Sequence, residues 1–347
     1  MNMAYAPVNF QQDPIDAALA QGLKDLWFPV CPSHFVKEQP VSLRRLGYKI
    51  VLWRDGQGQV QALEDHCPHR GAPLSLGVIL GDRLACAYHG VEVRQDGVVT
   101  KVPGSPGCKL EGMKAARRFH AAEAADAIFL FNATDPHCET PPPLVLPEQL
   151  SSPEWSSFLC YTEWGCDYRY VIDNVMDPMH GAYLHRQSHS MAEGDISAEF
   201  QLTDTDQGFI FEKKGQKGIN FDWTEWIDNG THWMRLAIPY PKTGGPGGPF
   251  TIIGSYTPIA ARASGVFHWR CRKVEGWARD TWRFLYKNRL EQRHWNVLEQ
   301  DRVPMEAMEP DANKREHLYQ HDMGIVRLRR HYRNLAAAQL EKAGQAT

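Results

Sequence analysis

Two short pairs of metal-ligand residues, Cys67-Pro68-His69 and Cys86-Ala87-Tyr88-His89, limit what this chain can fold into more than any other feature. Sixteen residues separate His69 from Cys86. Each pair supplies one thiolate and one imidazole, so together they offer two sulfurs and two nitrogens. A [2Fe–2S] cluster held by two cysteines on one iron and two histidines on the other needs that inventory, and neutral imidazoles in place of thiolates raise its reduction potential. Structural zinc is the alternative, but it takes its cysteines as one close pair and its histidines as another. Here each pair is mixed. Both loops also carry turn residues, Arg70-Gly71-Ala72-Pro73 after His69 and Gly90 after His89. Two such loops can clamp a cluster from opposite sides with backbone N–H groups aimed at the sulfurs.

The stretch CPHRGAPLSLG (67–77) with CAYHG (86–90) resembles the Rieske cluster motif in its residues and its spacing. Members of that family that are oxygenases commonly have Pro and Trp where this chain has Ala87 and Val91. Neither position is a ligand, so the departures bear on the potential and the docking surface rather than on the cluster.

At 347 residues the chain is long for one domain and comfortable for two. A net charge of −3 argues against nucleic acid or an anionic membrane as its main partner. No apolar run approaches the roughly 20 residues of a membrane span. The N-terminal stretch MNMAYAPVNFQQDP has neither the basic nor the apolar region of a secretory signal, so a cytoplasmic location is expected. Cys31, Cys108, Cys138, Cys160, Cys166 and Cys271 follow no pattern and read as buried small hydrophobes, with Cys160 and Cys166 a weak second candidate pair for a metal.

A short helix is expected over Ile15–Leu26, followed by a strand at Trp27–Pro32. From about 41 to 135 short β runs alternate with turns: Tyr48–Arg54, Val60–Glu64, Val91–Arg94 and Val98–Val102 around Asp96-Gly97, then Arg118–His120 and Ile128–Asn132. Thr140-Pro141-Pro142-Pro143 reads as a linker. Beyond it a strand over Phe158–Asp167 and a helix over Tyr168–Leu184 are expected, then a broad antiparallel sheet over 197–275. That sheet is interrupted by a mobile Gly/Pro loop over Lys242–Pro249. Residues 277–338 read as helical, and the basic run Arg327–Arg333 as the solvated face of an amphipathic helix.

The segment Asn174-Val175-Met176-Asp177-Pro178-Met179-His180-Gly181-Ala182-Tyr183-Leu184-His185 offers two imidazoles and a carboxylate. On a regular α-helix, residues five apart lie roughly 140° out of register. His180 and His185 can therefore converge on one ion only if the helix widens or ends there, and Gly181 makes such a distortion cheap. Two histidines and one carboxylate make the facial set of non-heme Fe(II) oxygenases, with positions left open for O₂ and substrate. Asp177 can supply the carboxylate, and so can Asp301 on a late helix, where it shares a face with Val297 and Leu298. Pro304 removes a bond to the Gln300 carbonyl and bends that helix just past Asp301. Glu299, Glu306 and Asp311 compete for the same role.

Asn174-x-x-Asp177-x-x-His180-x4-His185 looks like the mononuclear-iron motif of Rieske non-heme iron oxygenases, the α subunits of aromatic ring-hydroxylating and demethylating systems. The segment around Asp301 is similar, over a shorter match, to the one that carries that family's third ligand. The resemblance implies an α+β chain: an N-terminal all-β Rieske domain (41–140) and a C-terminal helix-grip catalytic domain with a broad antiparallel sheet (141–347), residues 1–40 packing with the latter. It implies cluster ligands Cys67, His69, Cys86 and His89, iron ligands His180, His185 and Asp301, and Asn174 beside them. Asp177 becomes a bridge between His180 and the cluster ligand equivalent to His89 of a neighbouring subunit, hence a head-to-tail homotrimer. A reductase, with or without a ferredoxin, would bring electrons from NAD(P)H.

The substrate reading from sequence is an aromatic compound, neutral or anionic, hydroxylated once or twice, with oxidative O- or N-demethylation as the alternative. Strand aromatics in Phe209–Phe211, Phe221–Trp226, Trp233–Tyr240 and Ile252–Tyr256 suit a flat ring, and core packing explains them equally well. Arg235 can pair with a substrate carboxylate or sulfonate, or be a surface arginine. A Rieske electron carrier without catalysis would need only residues 41–135, and the second motif speaks against it.

Overall fold

The computed structural model describes residues 13–187, 197–216, 218–219, 221–239 and 248–345. Two compact units emerge, one from Gln21 to Leu144, the other from residues up to Ala20 together with those from Val145 onward. The boundaries fall at 20/21 and 144/145 rather than at 40/41 and 140/141. Trp27–Pro32 accounts for the first difference, because it pairs antiparallel with Ala127–Phe131 inside the N-terminal unit. The helix before it, Pro14–Gln21, ends at Gly22, whose φ of 87° breaks the helix five residues short of the expected end at Leu26.

The N-terminal unit is all β. One three-stranded sheet joins Trp27–Pro32, Ala127–Phe131 and Ala121–Ala124. A four-stranded sheet runs Val41–Arg45, Tyr48–Arg54, Val60–Glu64 and Arg118–Phe119. A second, of Val78–Ile79, Arg83–Ala85, Glu92–Arg94 and Val99–Lys101, carries the ligand loops at its end. Cys67 and Cys86 belong to a buried cluster with Trp53, Leu63, Leu74, Leu84, Val91 and Val93. The Asp96-Gly97 turn needs glycine: φ is 87°, and a Cβ would sit 2.1 Å from the Ala116 carbonyl oxygen.

In the second unit a seven-stranded antiparallel sheet runs in the order Trp155–Trp164, Ala263–Lys273, Phe250–Ala260, His232–Ile238, Trp223–Asp228, Gly208–Lys213, Phe200–Thr205. Its register aligns Thr224 with Leu236, Met234 with Gly254, Gly254 with His268, and His268 with Cys160. Side chains alternate across a sheet, so these residues share one face. The helices lie on it: Thr224 Oγ1 donates to the Val175 carbonyl at 2.9 Å, His232 Nδ1 lies 2.8 Å from the Tyr332 hydroxyl, and Arg270 donates to the His294 carbonyl at 2.9 Å. The opposite face is sealed by Trp233 against Trp269 and Phe267 against Trp269.

The helix expected over Tyr168–Leu184 is two helices, Tyr168–Met176 and His180–Leu184. Asp167 caps the first by accepting from the Arg169 N–H at 2.9 Å. Asp177 precedes Pro178, which disfavours the helical region, and its φ of −91° with ψ of 105° is extended. The late helical region contains Gly276–Leu285, a π-helical turn at Tyr286–Leu290, Glu291–Ala307 and Met323–Gln345. Pro304 sits inside the Glu291–Ala307 helix, which continues to Ala307. Most of the Lys242–Pro249 loop lies outside the described residues. Among the described residues no helix is long and apolar enough to cross a membrane.

Candidate metal centres

The two ligand loops of the N-terminal unit close in the same way. Cys67 N–H donates to the Ala72 carbonyl at 2.8 Å, and Gly71 N–H to the Cys67 carbonyl at 2.9 Å. Cys86 N–H donates to the Val91 carbonyl, and Gly90 N–H to the Cys86 carbonyl, both at 2.9 Å. Gly71 and Gly90 close these loops with φ of 78° and 70°. The cysteines are buried, while His69 and His89 are exposed with ring centroids 4.6 Å apart. Burial and the neighbouring Cys86 sulfur push the Cys67 thiol up, and the backbone N–H groups of His69 and Arg70, pointed at the sulfur, pull the other way. Two inward sulfurs, two outward imidazoles and N–H groups directed at a sulfur fit a [2Fe–2S] cluster with its histidine-bound iron towards the surface.

Asp65, two residues before Cys67, was not singled out by sequence, yet it pins this loop. Its carboxylate accepts from the Ser75 N–H at 2.8 Å and from the Ser42 and Ser75 hydroxyls at 2.7 Å, with Lys49 Nζ at 3.2 Å. Burial works against the carboxylate, but these donors outweigh it and hold Asp65 below its ordinary range.

In the second unit His180, His185 and Asp301 come together. They form the one group of three or more His, Cys, Asp or Glu among the described residues whose ligand atoms lie within 4.8 Å of one another. His185 Nε2 is 3.0 Å and His180 Nε2 3.5 Å from the same Asp301 Oδ1. The register problem of a five-residue spacing is solved by a helix end: His185 caps His180–Leu184 with φ −103°, ψ 21°. The π-helical turn found in the chain is elsewhere, at Tyr286–Leu290. Asn174 Nδ2 donates to Asp301 Oδ1 at 3.2 Å.

The far nitrogen of each ring is directed away from Asp301. His185 Nδ1 lies 2.8 Å from Gln300 Oε1, and His180 Nδ1 is 3.8 Å from Asp177 Oδ2. Gln300 is a residue the sequence reading passed over, although its place beside Asp301 was the available signal. Burial alone would push Asp301 up, but His185, His180 and the Asn174 amide hold it below its ordinary value. His185 is raised for the complementary reason: burial opposes its charge, and Asp301 outweighs burial. Asp177 is raised, burial outweighing His180 and the Met179 N–H that donates to it at 2.7 Å. Two imidazole nitrogens and a carboxylate oxygen within 4.8 Å of one another make a donor set that fits a divalent ion.

The competing carboxylates are engaged elsewhere. Glu299 pairs with Arg302, Glu306 accepts the Gly165 N–H and pairs with Arg302, and Asp311 pairs with Arg315. Arg235 lies on the sheet face away from the helices, paired with Glu225, as the surface-arginine reading expects. Cys160 contacts Tyr286 and Arg270, whereas Cys166 interacts with Ser264, so they are not a metal pair. Within the basic run, Arg327, Arg329 and Arg333 pair with Asp204, Asp173 and Asp13 respectively.

An all-β cluster domain joined to a sheet-and-helix domain with a two-imidazole, one-carboxylate centre defines a two-metal redox protein class. Residues 26–113 match the Rieske [2Fe-2S] domain family, and residues 164–338 the vanillate O-demethylase oxygenase C-terminal domain family. The chain belongs to the Rieske non-heme iron oxygenases, whose cofactors are a [2Fe–2S] cluster and a mononuclear iron.

Among its relatives is the vanillate O-demethylase oxygenase subunit of Pseudomonas sp. (strain HR199 / DSM 7063), 34% identical over 50% of this chain and 48% of that one. Another is the chloroacetanilide N-alkylformylase oxygenase component of Rhizorhabdus wittichii (strain DC-6 / KACC 16600), 34% identical over 47% of each. The chain spans about half the length of the curated relatives it matches. The terminal oxygenase of carbazole 1,9a-dioxygenase from Nocardioides aromaticivorans IC177 shares the fold, with a TM-score of 0.75 over 94% of this chain and 96% of that one at 22% identity. Dicamba monooxygenase bound to dicamba has a TM-score of 0.69 over 92% and 98% of the chains at 23% identity.

Proposed function

We propose that this chain is the terminal oxygenase component of a multicomponent system that oxidises an aromatic substrate with O₂. The observation that carries the reading is the convergence of His180, His185 and Asp301 in a chain that also holds the Cys67/His69/Cys86/His89 set. When bound, the cluster would supply one-electron storage and the ferrous ion O₂ activation. The protein's share is position and environment. His180, His185 and Asp301 would hold that ion. Gln300 fixes the His185 ring through Nδ1, and Asn174 holds the Asp301 carboxylate by hydrogen bonding to one oxygen. His185 and Asp301 are buried between the sheet and the helices.

Asp177 is assigned the bridge to a cluster histidine of a neighbouring subunit in a head-to-tail homotrimer. Its 3.8 Å approach to His180 Nδ1 supports one half of that bridge. Electrons are assigned to an NAD(P)H-dependent reductase, directly or through a ferredoxin. The solved oxygenase–ferredoxin complexes of carbazole 1,9a-dioxygenase support a partner of that kind. A cytoplasmic location belongs to the same reading.

Oxidative demethylation is favoured over ring hydroxylation by the C-terminal family match and the vanillate O-demethylase relatives. Anaerobically reconstituted protein with a surrogate reductase should consume O₂ with methoxybenzoates and release formaldehyde in equal amount. Ring-hydroxylated product without formaldehyde would support hydroxylation instead. O₂ uptake that no aromatic acid, ether or hydrocarbon stimulates would sink both.

A further inference from the structure

A half-open cavity of about 110 Å³ lies against the helix Tyr168–Met176, apart from the metal ligands. Two other helices, Pro14–Gln21 and Met323–Gln345, wall it, with the 310–313 segment along one side. Leu19, Ile172 and Leu328, all buried, give it an apolar wall. The Tyr170 hydroxyl holds the side segment in place through the Glu309 and Pro310 carbonyls and the Asn313 N–H. Asp173 lines the cavity, while Asn174, the next residue, donates to Asp301. The cavity and the metal centre thus share one helix.

The polar wall is an ion-pair network with more acid than base. Arg169 pairs with Asp167 and Asp16, Arg333 with Asp16 and Asp13, and Arg329 with Asp173 and Glu316. Each guanidinium therefore serves two carboxylates, and five carboxylates share three guanidiniums. Two acceptors are left over. Asp173 Oδ2 takes both bonds from Arg329, at 3.0 and 2.7 Å, whereas Oδ1 accepts none among the described residues. Asp16 Oδ1 accepts from Arg169 and Arg333, at 3.3 and 3.2 Å, whereas Oδ2 accepts none among the described residues. The Asp173 side chain is 13% exposed, so its free oxygen is not sealed, and the space it borders is the cavity.

The chemistry of that wall selects an occupant. Burial outweighs Arg329 at Asp173, and Glu316 and Asp167 add to it, pushing the carboxyl up to about 6. At neutral pH Asp173 is ionised against that opposition, and a further positive charge beside it is favourable. A small anion would meet carboxylates in excess. A bare divalent ion needs several oxygens at once, and among the described residues no three of these carboxylates bring oxygens within 4.8 Å of one another. A quaternary ammonium has no N–H for the free lone pairs. A primary ammonium brings three donors, and its hydrocarbon chain suits the Leu19, Ile172 and Leu328 wall.

We propose that this cavity is a binding site for a small protonated alkylamine, its ammonium paired with Asp173, Asp16 adding charge, and its chain on Leu19, Ile172 and Leu328. The site stands whether or not the oxygenase reading does.

The test is calorimetric titration of the metal-loaded full chain at neutral pH and fixed ionic strength. The probes are n-butylammonium, butanol of the same chain length, tetramethylammonium and Mg²⁺. Butylammonium should bind once per chain with roughly millimolar affinity or better, within reach of so small a ligand. It should bind roughly tenfold or more tightly than butanol or tetramethylammonium, and Mg²⁺ should not displace it. Asp173→Asn keeps the shape and removes the charge, and should weaken butylammonium roughly tenfold or more while butanol binding is unchanged. Asp16→Asn should weaken it by a smaller factor. The cluster's visible spectrum reports that each variant is folded and loaded.

The site is overturned by a wild type with no saturable butylammonium binding, by butanol or tetramethylammonium binding as tightly, or by displacement with Mg²⁺. Unchanged affinity in Asp173→Asn would put the amine elsewhere and overturn it too. If Asp173→Asn does not fold, Asp16→Asn decides, and wild-type affinity there sinks the proposal.

Discussion

Gln300 Oε1 lies 2.8 Å from His185 Nδ1, so the residue preceding Asp301 in sequence orients the ring that faces Asp301 in space. One helix thereby supplies both a carboxylate for the metal and the support for an opposing imidazole. With Gln300 accepting, Nδ1 carries the proton and Nε2 is free to bind a cation. Gln300→Leu should lower ferrous-ion affinity by roughly 10–100-fold. Iron retained against a chelator, measured beside an unchanged cluster spectrum, checks this.

Asp177 stands 3.8 Å from His180 Nδ1 without contacting Asp301, so it should govern communication rather than metal retention. Asp177→Asn is expected to keep three irons per chain, two in the cluster and one mononuclear, and to lower substrate-dependent O₂ consumption by at least roughly 10–100-fold. Chemical reduction of the cluster should proceed as in the wild type. Wild-type turnover in this variant would remove the bridge from the mechanism.

Asp65 gathers four donors across the ligand loop, from Ser42, Ser75 and Lys49. Asp65→Asn turns an acceptor-only group into one with donors facing donors, which should cost on the order of 1–3 kcal/mol. The expected signature is selective: faster loss of visible absorbance on mild heating, with mononuclear iron content unaffected. A variant whose cluster is as durable as the wild type's would show that the loop holds without this anchor.

His268 is buried and His294 half-buried, and burial is the main cause that pushes each down to about 3. An unfolded histidine titrates near 6.5, so between about pH 6.5 and 3 the unfolded chain binds more protons than the folded one. Stability is therefore full above that window and falls as pH drops through it. From pH 7 to pH 5 each imidazole should cost about 2 kcal/mol. Denaturation of the chain with bound metals at both pH values measures the difference, and His294→Gln should flatten the slope.

Much of the site was written in local sequence, because cluster ligands two and three residues apart must share a loop whatever surrounds them. Both loops close through the same pair of hydrogen bonds, Gly71 to Cys67 and Gly90 to Cys86, and those glycines were visible as turn residues. The end of the helix at Asp177 was legible too, in Pro178, although the sequence reading carried the helix through it. Arg235 kept two readings because a strand's alternation gives two faces without saying which one meets the helices. Glu225, across the strand pair, claims it.

What the chain fixed alone was short-range: ligand types, their spacing, and the turns that present them, all set by backbone sterics within a few residues. Tertiary structure decided which distant groups meet. Asp301 reaches His180 and His185 across more than a hundred positions, and Gly254 lets Tyr256 find His268, only because sheet register and helix packing bring them face to face. Register depends on hydrogen bonds and core packing summed over the whole sheet, and no local stretch of sequence contains that sum.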